Sequence, residues 1–236
     1  MYYCLCDENY VPWLELLVRS VRRFDPNTRF LIHFIGDGEG LERRLADHNN
    51  LKIRTPAHPR AGGGAVELVL SRPKNVLEVA RSNRFDWLMV MDADLLVRAP
   101  LTSLTRSMAL YDCAAVLRGR ADGGELPPHQ QVAGGLYVLT ERAIPMIEET
   151  VRLIDSPETV QGILPGSWYR DQACLAEAMA TTDLRIRTIP REIYLSSRPY
   201  DRRAAVWNGN FSGARKGAAL RLFQKECDRI APSSVQ

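Results

Sequence analysis

The chain has 236 residues, which is enough for one α/β domain that buries most of its apolar surface without a disulfide or a structural metal. Hydrophobic residues make up 45% and charged residues 25% of it, and the formal net charge is +3. That charge is too small by itself to indicate nucleic acid or a membrane surface as a partner. The basic residues are mostly arginine, which reflects either base composition or the recognition of anions.

The five cysteines argue against a disulfide framework and against a zinc site. Their number is odd, they are scattered, and no pair has the CxxC spacing. This usage favours a reducing compartment. The chain starts without a basic, apolar leader pattern, and no apolar run approaches the roughly 20 residues of a membrane helix. We therefore expect a cytoplasmic protein without a membrane span.

The first quarter of the chain alternates strands and helices. Apolar runs and helical periodicity predict a strand at Tyr2–Cys6, a helix at Val11–Phe24, a strand at Phe30–Ile35, a helix at Leu41–Asp47 and a strand at Leu51–Arg54. This β-α-β-α-β order implies parallel strands and a doubly wound sheet.

The rest of the chain continues the pattern with longer loops. The predicted helices are Asn75–Ser82, one opened by Pro100, Glu141–Ile154, Gln172–Met179 and Ala218–Arg229; the predicted strands are Trp87–Met91, Cys113–Leu117, Leu136–Leu139 and Leu184–Ile189. Loops are expected at 55–65, at 119–131 and at 155–166. We expect a single domain over residues 1–236, with a nucleotide-binding half at 1–118 and an acceptor-binding and C-terminal half at 119–236.

The strongest chemical signal is the end of the Trp87–Met91 strand, where Asp92-Ala93-Asp94 follows. In open α/β sheets, ligands bind at the carboxyl ends of the strands. Two aspartates two residues apart point the same way in an extended segment, and their hard oxygens suit Mn²⁺ or Mg²⁺ together with substrate phosphates. The alternative is a turn, or a pair of caps for the helix at Pro100.

Other polar segments stand in a characteristic order around this motif. They are Asp7-Glu8-Asn9-Tyr10, Arg72 with Lys74, Gly134-Gly135, Asp171-Gln172 and Asn210–Lys216. In their order and spacing the chain resembles the family 8 glycosyltransferases, the glycogenin and lipopolysaccharide galactosyltransferase group. The resemblance covers most of the chain as separated segments. It implies a GT-A-like (Rossmann-like) α/β fold with a mixed, mostly parallel central sheet.

The resemblance also implies a role for each segment. Asp92 and Asp94 match the metal-binding pair, and Asp171 with Gln172 matches an Asp-Gln pair beside the reacting sugar. The remaining matches are to nucleotide-sugar contacts: Asp7 and Asn9 to base and ribose, Arg72 assisted by Lys74 to the nucleotide-sugar, and Lys216 to the diphosphate. Each has a structural alternative: a helix-capping turn for Asp7 and Asn9, an N-cap for Asp171, and solvated surface charges for Arg72, Lys74 and Lys216.

Three positions depart from the family pattern. The third metal ligand of the family is a histidine, and Asn210 stands in its place, with Asn208 or water as substitutes. The Pro-Trp that follows the family's lysine is Gly217-Ala218 here. Ala133 replaces an asparagine that helps to hold the sugar, so the donor sugar and the acceptor stay open.

The expected function is metal-assisted transfer of a hexose from a UDP-sugar to an acceptor hydroxyl, with Mn²⁺ or Mg²⁺ as the cofactor and, by resemblance, with retention. The acceptor could be a saccharide, a lipid-linked glycan or a protein, with nucleic acid ranked below these. Two other classes stay open: a catalytically inactive GT-A module that acts as a binding protein, and a nucleotidyltransferase. The acidic Asp7-Glu8-Asn9 segment argues against the latter, because such enzymes usually carry a glycine-rich, basic loop after the first strand.

Overall fold

The computed structural model describes residues 1–58, 65–118, 131–190, 192–196, 203–208 and 216–230. Within them, seven strands form the larger of two sheets. These strands are β1 (Tyr2–Asp7), β2 (Phe30–Ile35), β3 (Leu51–Arg54), β4 (Leu88–Met91), β6 (Cys113–Leu117), β7 (Val132–Leu139) and β8 (Ile186–Thr188). Their order in the sheet is β3-β2-β1-β4-β7-β6-β8. The β1–β2, β2–β3 and β6–β8 pairs are parallel and the β6–β7 pair is antiparallel. The predicted α/β class with a mixed, mostly parallel sheet is confirmed.

A smaller sheet has three short strands in the order β5-β10-β9. They are β5 (Leu95–Val97), β9 (Tyr194–Ser196) and β10 (Val206–Asn208). The helices are α1 (Val11–Phe24), α2 (Gly38–Arg44), α3 (Ala65–Ser82), α4 (Thr102–Ser107), α5 (Ile144–Asp155), α6 (Arg170–Thr181) and α7 (Lys216–Ile230), with 3₁₀ turns at Glu8–Tyr10 and Glu141–Ala143. In the part of the chain that is described, no helix has the length and apolarity that crossing a membrane requires.

Contacts divide the chain into two compact units, and neither is a continuous half of the sequence. The first unit comprises residues 1–55, 91–104 and 190–236, and the second comprises 56–90 and 105–189. The expected single domain and its division after residue 118 stay predictions.

In the first unit, α1 is amphipathic and its apolar face is buried, as its sequence period requires. Helix α7 packs on it through aromatic rings: the Phe223 ring lies with its centroid 4.8 Å from that of Trp13 and 4.8 Å from that of Trp207. Trp207 lies on β10 and is fully buried. This cluster fixes β10 against α1, and β10 is the strand that ends at Asn208.

In the second unit, helix α3 is longer than the sequence predicts. It begins at Ala65 and continues through Pro73, so Arg72 and Lys74 lie on a helix and not on a loop. Pro73 has no N–H to donate inside a helix. The fully buried Asn75 reinforces this stretch, because its amide donates to the carbonyls of Ser71 and His58 and accepts from the His58 N–H.

An ion pair joins the starts of strands β6 and β8. Asp112, just before β6, accepts hydrogen bonds from the Arg185 side chain at 2.8 and 3.1 Å and from the Arg185 backbone N–H at 3.0 Å. These bonds lower the pKa of Asp112 to about 2. They tie the start of β6 to the residue that precedes β8.

Candidate active site

The Asp92–Asp94 segment lies where the buried strand β4 ends. Leu88 to Met91 are all buried, and the chain then turns at Ala93 and Asp94 before entering β5. The segment is therefore a turn, where the sequence prediction had an extended piece. Both carboxylates are half-buried, because an apolar strand precedes them and another follows. The turn keeps two acidic side chains close to the end of a strand.

Strand β10 brings Asn208 to this turn. β10 runs antiparallel to β5, with Asn208 opposite Leu95. The Asn208 amide nitrogen lies 3.4 Å from the Asp94 carboxylate, and the residue is buried. β5 is anchored in turn to α1, since the backbone N–H of Val97 donates to the buried Ser20 hydroxyl at 3.1 Å. The acidic turn and the amide thus rest on packed elements.

This donor set suits a hard cation. Asp92 and Asp94 supply carboxylate oxygens. A 180° rotation of the Asn208 side-chain amide would present its oxygen to a cation as well. The part of the chain that the structure describes holds no group of three His, Cys, Asp or Glu side chains that could ligate a metal. Oxygen donors of this number and type fit Mn²⁺ or Mg²⁺ when substrate phosphates complete the shell. Asn210, the predicted third ligand, lies outside the described residues.

Asp7 and Asn9 form a capping turn at the end of β1. Asp7 is buried, and its carboxylate accepts from the Asn9 backbone N–H at 3.0 Å and from the Asn9 amide at 3.3 Å. This is the structural alternative that the sequence left open. It fixes the Asp7 side chain and leaves Asn9 exposed at the surface, so contact of either residue with a nucleoside stays a prediction.

Arg72 and Asp171 form an ion pair in the second unit. Arg72 Nη2 lies 2.6 Å from Asp171 Oδ2, and the two side chains are only 12% and 3% exposed. The N-cap of α6 is Tyr169, so Asp171 lies within the first turn of the helix. Its carboxylate accepts a hydrogen bond from the Arg72 guanidinium. The solvated charge predicted as the alternative for Arg72 is therefore not what the structure shows. Gln172 follows at a half-buried position.

Lys74 and Lys216 lie elsewhere. Lys74 donates to Asp155 at the end of α5, in an exposed pair that matches the solvated alternative. Lys216 is the first residue of α7, directly after a stretch outside the described residues. Their predicted contacts with a nucleotide-sugar stay predictions.

Sequence reasoning missed the residues that build the loop before α6. The fully buried Arg170 guanidinium donates to the carbonyls of Leu153, Ser156 and Ile163. Trp168 and Tyr169 directly before it are 45% and 47% exposed. Two adjacent aromatic residues beside the Asp-Gln pair were the available signal. The loop thus presents aromatic surface immediately before Asp171.

No protein-family profile and no curated protein matches this sequence. Solved structures do. The bifunctional glycosyltransferase WbbM, in its apo structure, has a TM-score of 0.64 and 14% identity over 98% of this chain and 51% of its own. The galactosyltransferase LgtC, solved in complex with donor and acceptor sugar analogues, has a TM-score of 0.62 and 15% identity over 99% of this chain and 97% of its own.

A third similar structure is the glycosyltransferase GlyE of Streptococcus pneumoniae, with a TM-score of 0.61 and 14% identity over 100% of this chain and 65% of its own. The chain spans about half the length of WbbM and just under two thirds of GlyE. At these identities the likeness shows the fold. The chain has the glycosyltransferase fold that the resemblance predicted.

Proposed function

We propose that this protein is a metal-dependent glycosyltransferase that moves a hexose from a UDP-sugar to an acceptor hydroxyl, with retention of the anomeric configuration. The observation that carries the proposal is the turn at the end of β4, where Asp92, Asp94 and the Asn208 amide gather hard oxygen-bearing groups. In the glycosyltransferase fold, a cation and a sugar diphosphate are the chemistry that such a turn would serve.

In this proposal, Asp92, Asp94, Asp7, Asn9 and Lys216 hold the nucleotide part of the donor. Asp92 and Asp94 would hold Mn²⁺ or Mg²⁺, and the cation would supply positive charge to offset the negative charge of the departing diphosphate. Asp7 and Asn9 hold the nucleoside at the end of β1. Lys216 pairs with the diphosphate, where a charge-assisted hydrogen bond is about twice as strong as a neutral one.

Arg72, Asp171 and Gln172 hold the sugar in this proposal. The buried Arg72–Asp171 pair fixes the carboxylate of Asp171, so that its geometry is set before the donor arrives. Gln172 contributes an amide that can both donate and accept hydrogen bonds with sugar hydroxyls. Lys74 assists Arg72 only if it leaves its exposed contact with Asp155.

The acceptor is a hydroxyl of a saccharide, a lipid-linked glycan or a protein. All five cysteines are buried and none of them forms a disulfide, which supports a cytoplasmic setting. No residue is assigned as catalytic base, because the geometry singles out no group for that role.

The test combines ligand binding with turnover. The melting temperature is measured with UDP-, GDP- and dTDP-sugars, with and without Mn²⁺, because a ligand that binds only the folded state raises it. We expect the largest rise with a UDP-sugar and Mn²⁺ together. Asp94→Asn and Asp92→Asn should each lower metal-dependent hydrolysis of the UDP-sugar by about two orders of magnitude or more. Neither should change the melting temperature of the unliganded protein by more than a few degrees.

Asp47→Asn is the matched control, since Asp47 is an exposed aspartate of the same unit. It should keep full turnover. Full metal-dependent turnover in the Asp92→Asn/Asp94→Asn double variant would refute the metal assignment. A donor-dependent thermal shift without turnover for any acceptor class would favour the binding module, and release of diphosphate from a nucleoside triphosphate would favour a nucleotidyltransferase.

A further inference from the structure

Gly134 lies at the most crowded point of the second unit. A Cβ placed on it would lie 2.8 Å from Arg72 Nη2, 3.2 Å from Gln172 Cγ and 3.5 Å from Asp171 Oδ2. Carbon and nitrogen atoms that are not bonded do not pack at 2.8 Å. Three side chains of the candidate sugar site therefore meet at the α-carbon of Gly134. Arg72 occupies the space that a side chain at position 134 would take.

The backbone of Gly134 does not itself call for glycine. Its φ lies outside the left-handed region that side chains avoid. The residue stands in an irregularity of the β6–β7 ladder: Ala115 pairs with Tyr137, and the next residue, Val116, pairs with Ala133. Bulges of this type re-aim a strand locally and are frequent next to active sites. The bulge brings the bare backbone of β7 up to the ion pair.

The clash would act on one atom group in particular. Arg72 Nη2 is the end of a flexible side chain, so it can move away without unfolding the sheet. However, it is held at 2.6 Å by a carboxylate that is only 3% exposed. Moving it would lengthen or break a buried ion pair, and a buried charge that loses its partner is strongly unfavourable. A side chain at position 134 would therefore destabilise the Arg72–Asp171 ion pair.

We infer that Gly134 is a positioning residue for the Arg72–Asp171 pair, and that a side chain at this position acts by displacing the Arg72 guanidinium. The inference rests on the proposed function for its catalytic consequence. Because Arg72 and Asp171 are assigned to the transferred hexose, displacement should slow hexose transfer and leave binding of UDP, which lacks that hexose, within about twofold. A misplacement of about 1 Å can cost on the order of 100-fold in rate.

The experiment is a double-mutant cycle between Gly134→Ala and Arg72→Lys. Lysine keeps the positive charge for Asp171 and removes the Nη2 group that the new methyl would strike. In the natural background, Gly134→Ala should lower kcat/KM for transfer at least tenfold and lower the melting temperature. In the Arg72→Lys background, the same substitution should change kcat/KM by less than about twofold and leave the melting temperature almost unchanged. Gly38→Ala is the control, because a Cβ at Gly38 would have no described atom within 4 Å apart from those of its chain neighbours and its own helix backbone.

Equal losses from Gly134→Ala in both backgrounds would overturn the inference, since the side chain would then act on something other than Arg72. No loss in the natural background would overturn it as well. If Arg72→Lys does not fold, Arg72→Met with Asp171→Asn serves as the background, because it removes both charges together. If the natural protein itself transfers no hexose from any UDP-sugar, the proposed function has failed, and the melting temperatures of the same cycle still decide whether Gly134 positions Arg72.

Discussion

At the scale of single residues, Asn208 is the side chain whose role the fold changes most. The family resemblance puts the third metal ligand at Asn210, but Asn208 is the amide that lies 3.4 Å from Asp94. We expect Asn208→Ala to weaken Mn²⁺ binding in the presence of UDP by about 10- to 100-fold, the range found when groups that support a metal site are removed. Calorimetric titration of Mn²⁺ measures the affinity.

Asn210→Ala is the matched comparison, since it removes the same amide two residues later. If Asn208 serves the metal, Asn210→Ala should bind Mn²⁺ within about threefold of the natural protein, a difference of less than 1 kcal/mol. The reverse result, with the loss at 210 and none at 208, would return the ligand to Asn210 and reduce Asn208 to a structural partner of Asp94.

The sequence pointed to Asp92 and Asp94 because the signal is local: an apolar strand stops abruptly at two carboxylates. The neighbours that give these residues their surroundings are distant in sequence. Asn208 is 114 residues from Asp94, and Asp171 is 99 residues from Arg72. No periodicity within a segment encodes such pairings. For Arg72 and Asp171, the resemblance supplied the residues, and the fold supplied the contact between them.

At the scale of elements, α3 shows how a helix continues through a proline. Asn75 is fully buried and has three hydrogen bonds to the backbone at Ser71 and His58. Asn75→Ala removes these bonds and leaves buried backbone groups unsatisfied, which should lower the free energy of unfolding by about 1–3 kcal/mol. Urea unfolding monitored by circular dichroism measures this change.

Asn49→Ala provides the control, because Asn49 is exposed in a turn of the first unit. Its effect should stay within about 0.5 kcal/mol. A similarly small effect of Asn75→Ala would show that packing alone holds α3 around Pro73, and that the Asn75 bonds add little.

The elements that the sequence predicted well are those with a strong periodic signal. The bounds of α1, β2, β3 and β6 match the prediction to the residue. For α3 the sequence predicted only Asn75–Ser82, whereas the helix begins at Ala65. Pro73 disfavours the interior of a helix, so the sequence gives little sign that the helix continues through it. Strands β5, β9 and β10 have three residues each, too few to show a period of two, and they were not predicted as strands.

At the scale of the whole molecule, the arginine excess raises the question of a nucleic-acid acceptor. In the described part of the chain, many arginines are engaged with acidic side chains. These pairs are Arg19–Asp228, Arg44–Glu15, Arg72–Asp171, Arg81–Glu148, Arg152–Glu149, Arg185–Asp112 and Arg229–Glu226. Two more, Arg22 and Arg170, donate to backbone carbonyls. Much of the guanidinium chemistry therefore serves the fold and not a polyanion.

We accordingly expect no appreciable binding of RNA or DNA. Non-specific binders reach dissociation constants of roughly 10⁻⁴ to 10⁻⁶ M at physiological salt by releasing counterions from many phosphate contacts. The net charge of the protein is only +3, and in the described part of the chain seven arginines pair with acidic side chains and two donate to backbone carbonyls, which leaves less guanidinium charge for such a surface. Fluorescence anisotropy with a labelled single-stranded RNA and a labelled duplex DNA, at about 0.05 and 0.15 M salt, should show dissociation constants above about 10⁻⁴ M. Binding in the micromolar range that falls steeply with salt would contradict this expectation, because it would require a basic surface that the ion pairs leave uncovered, and it would make nucleic acid the first acceptor to assay.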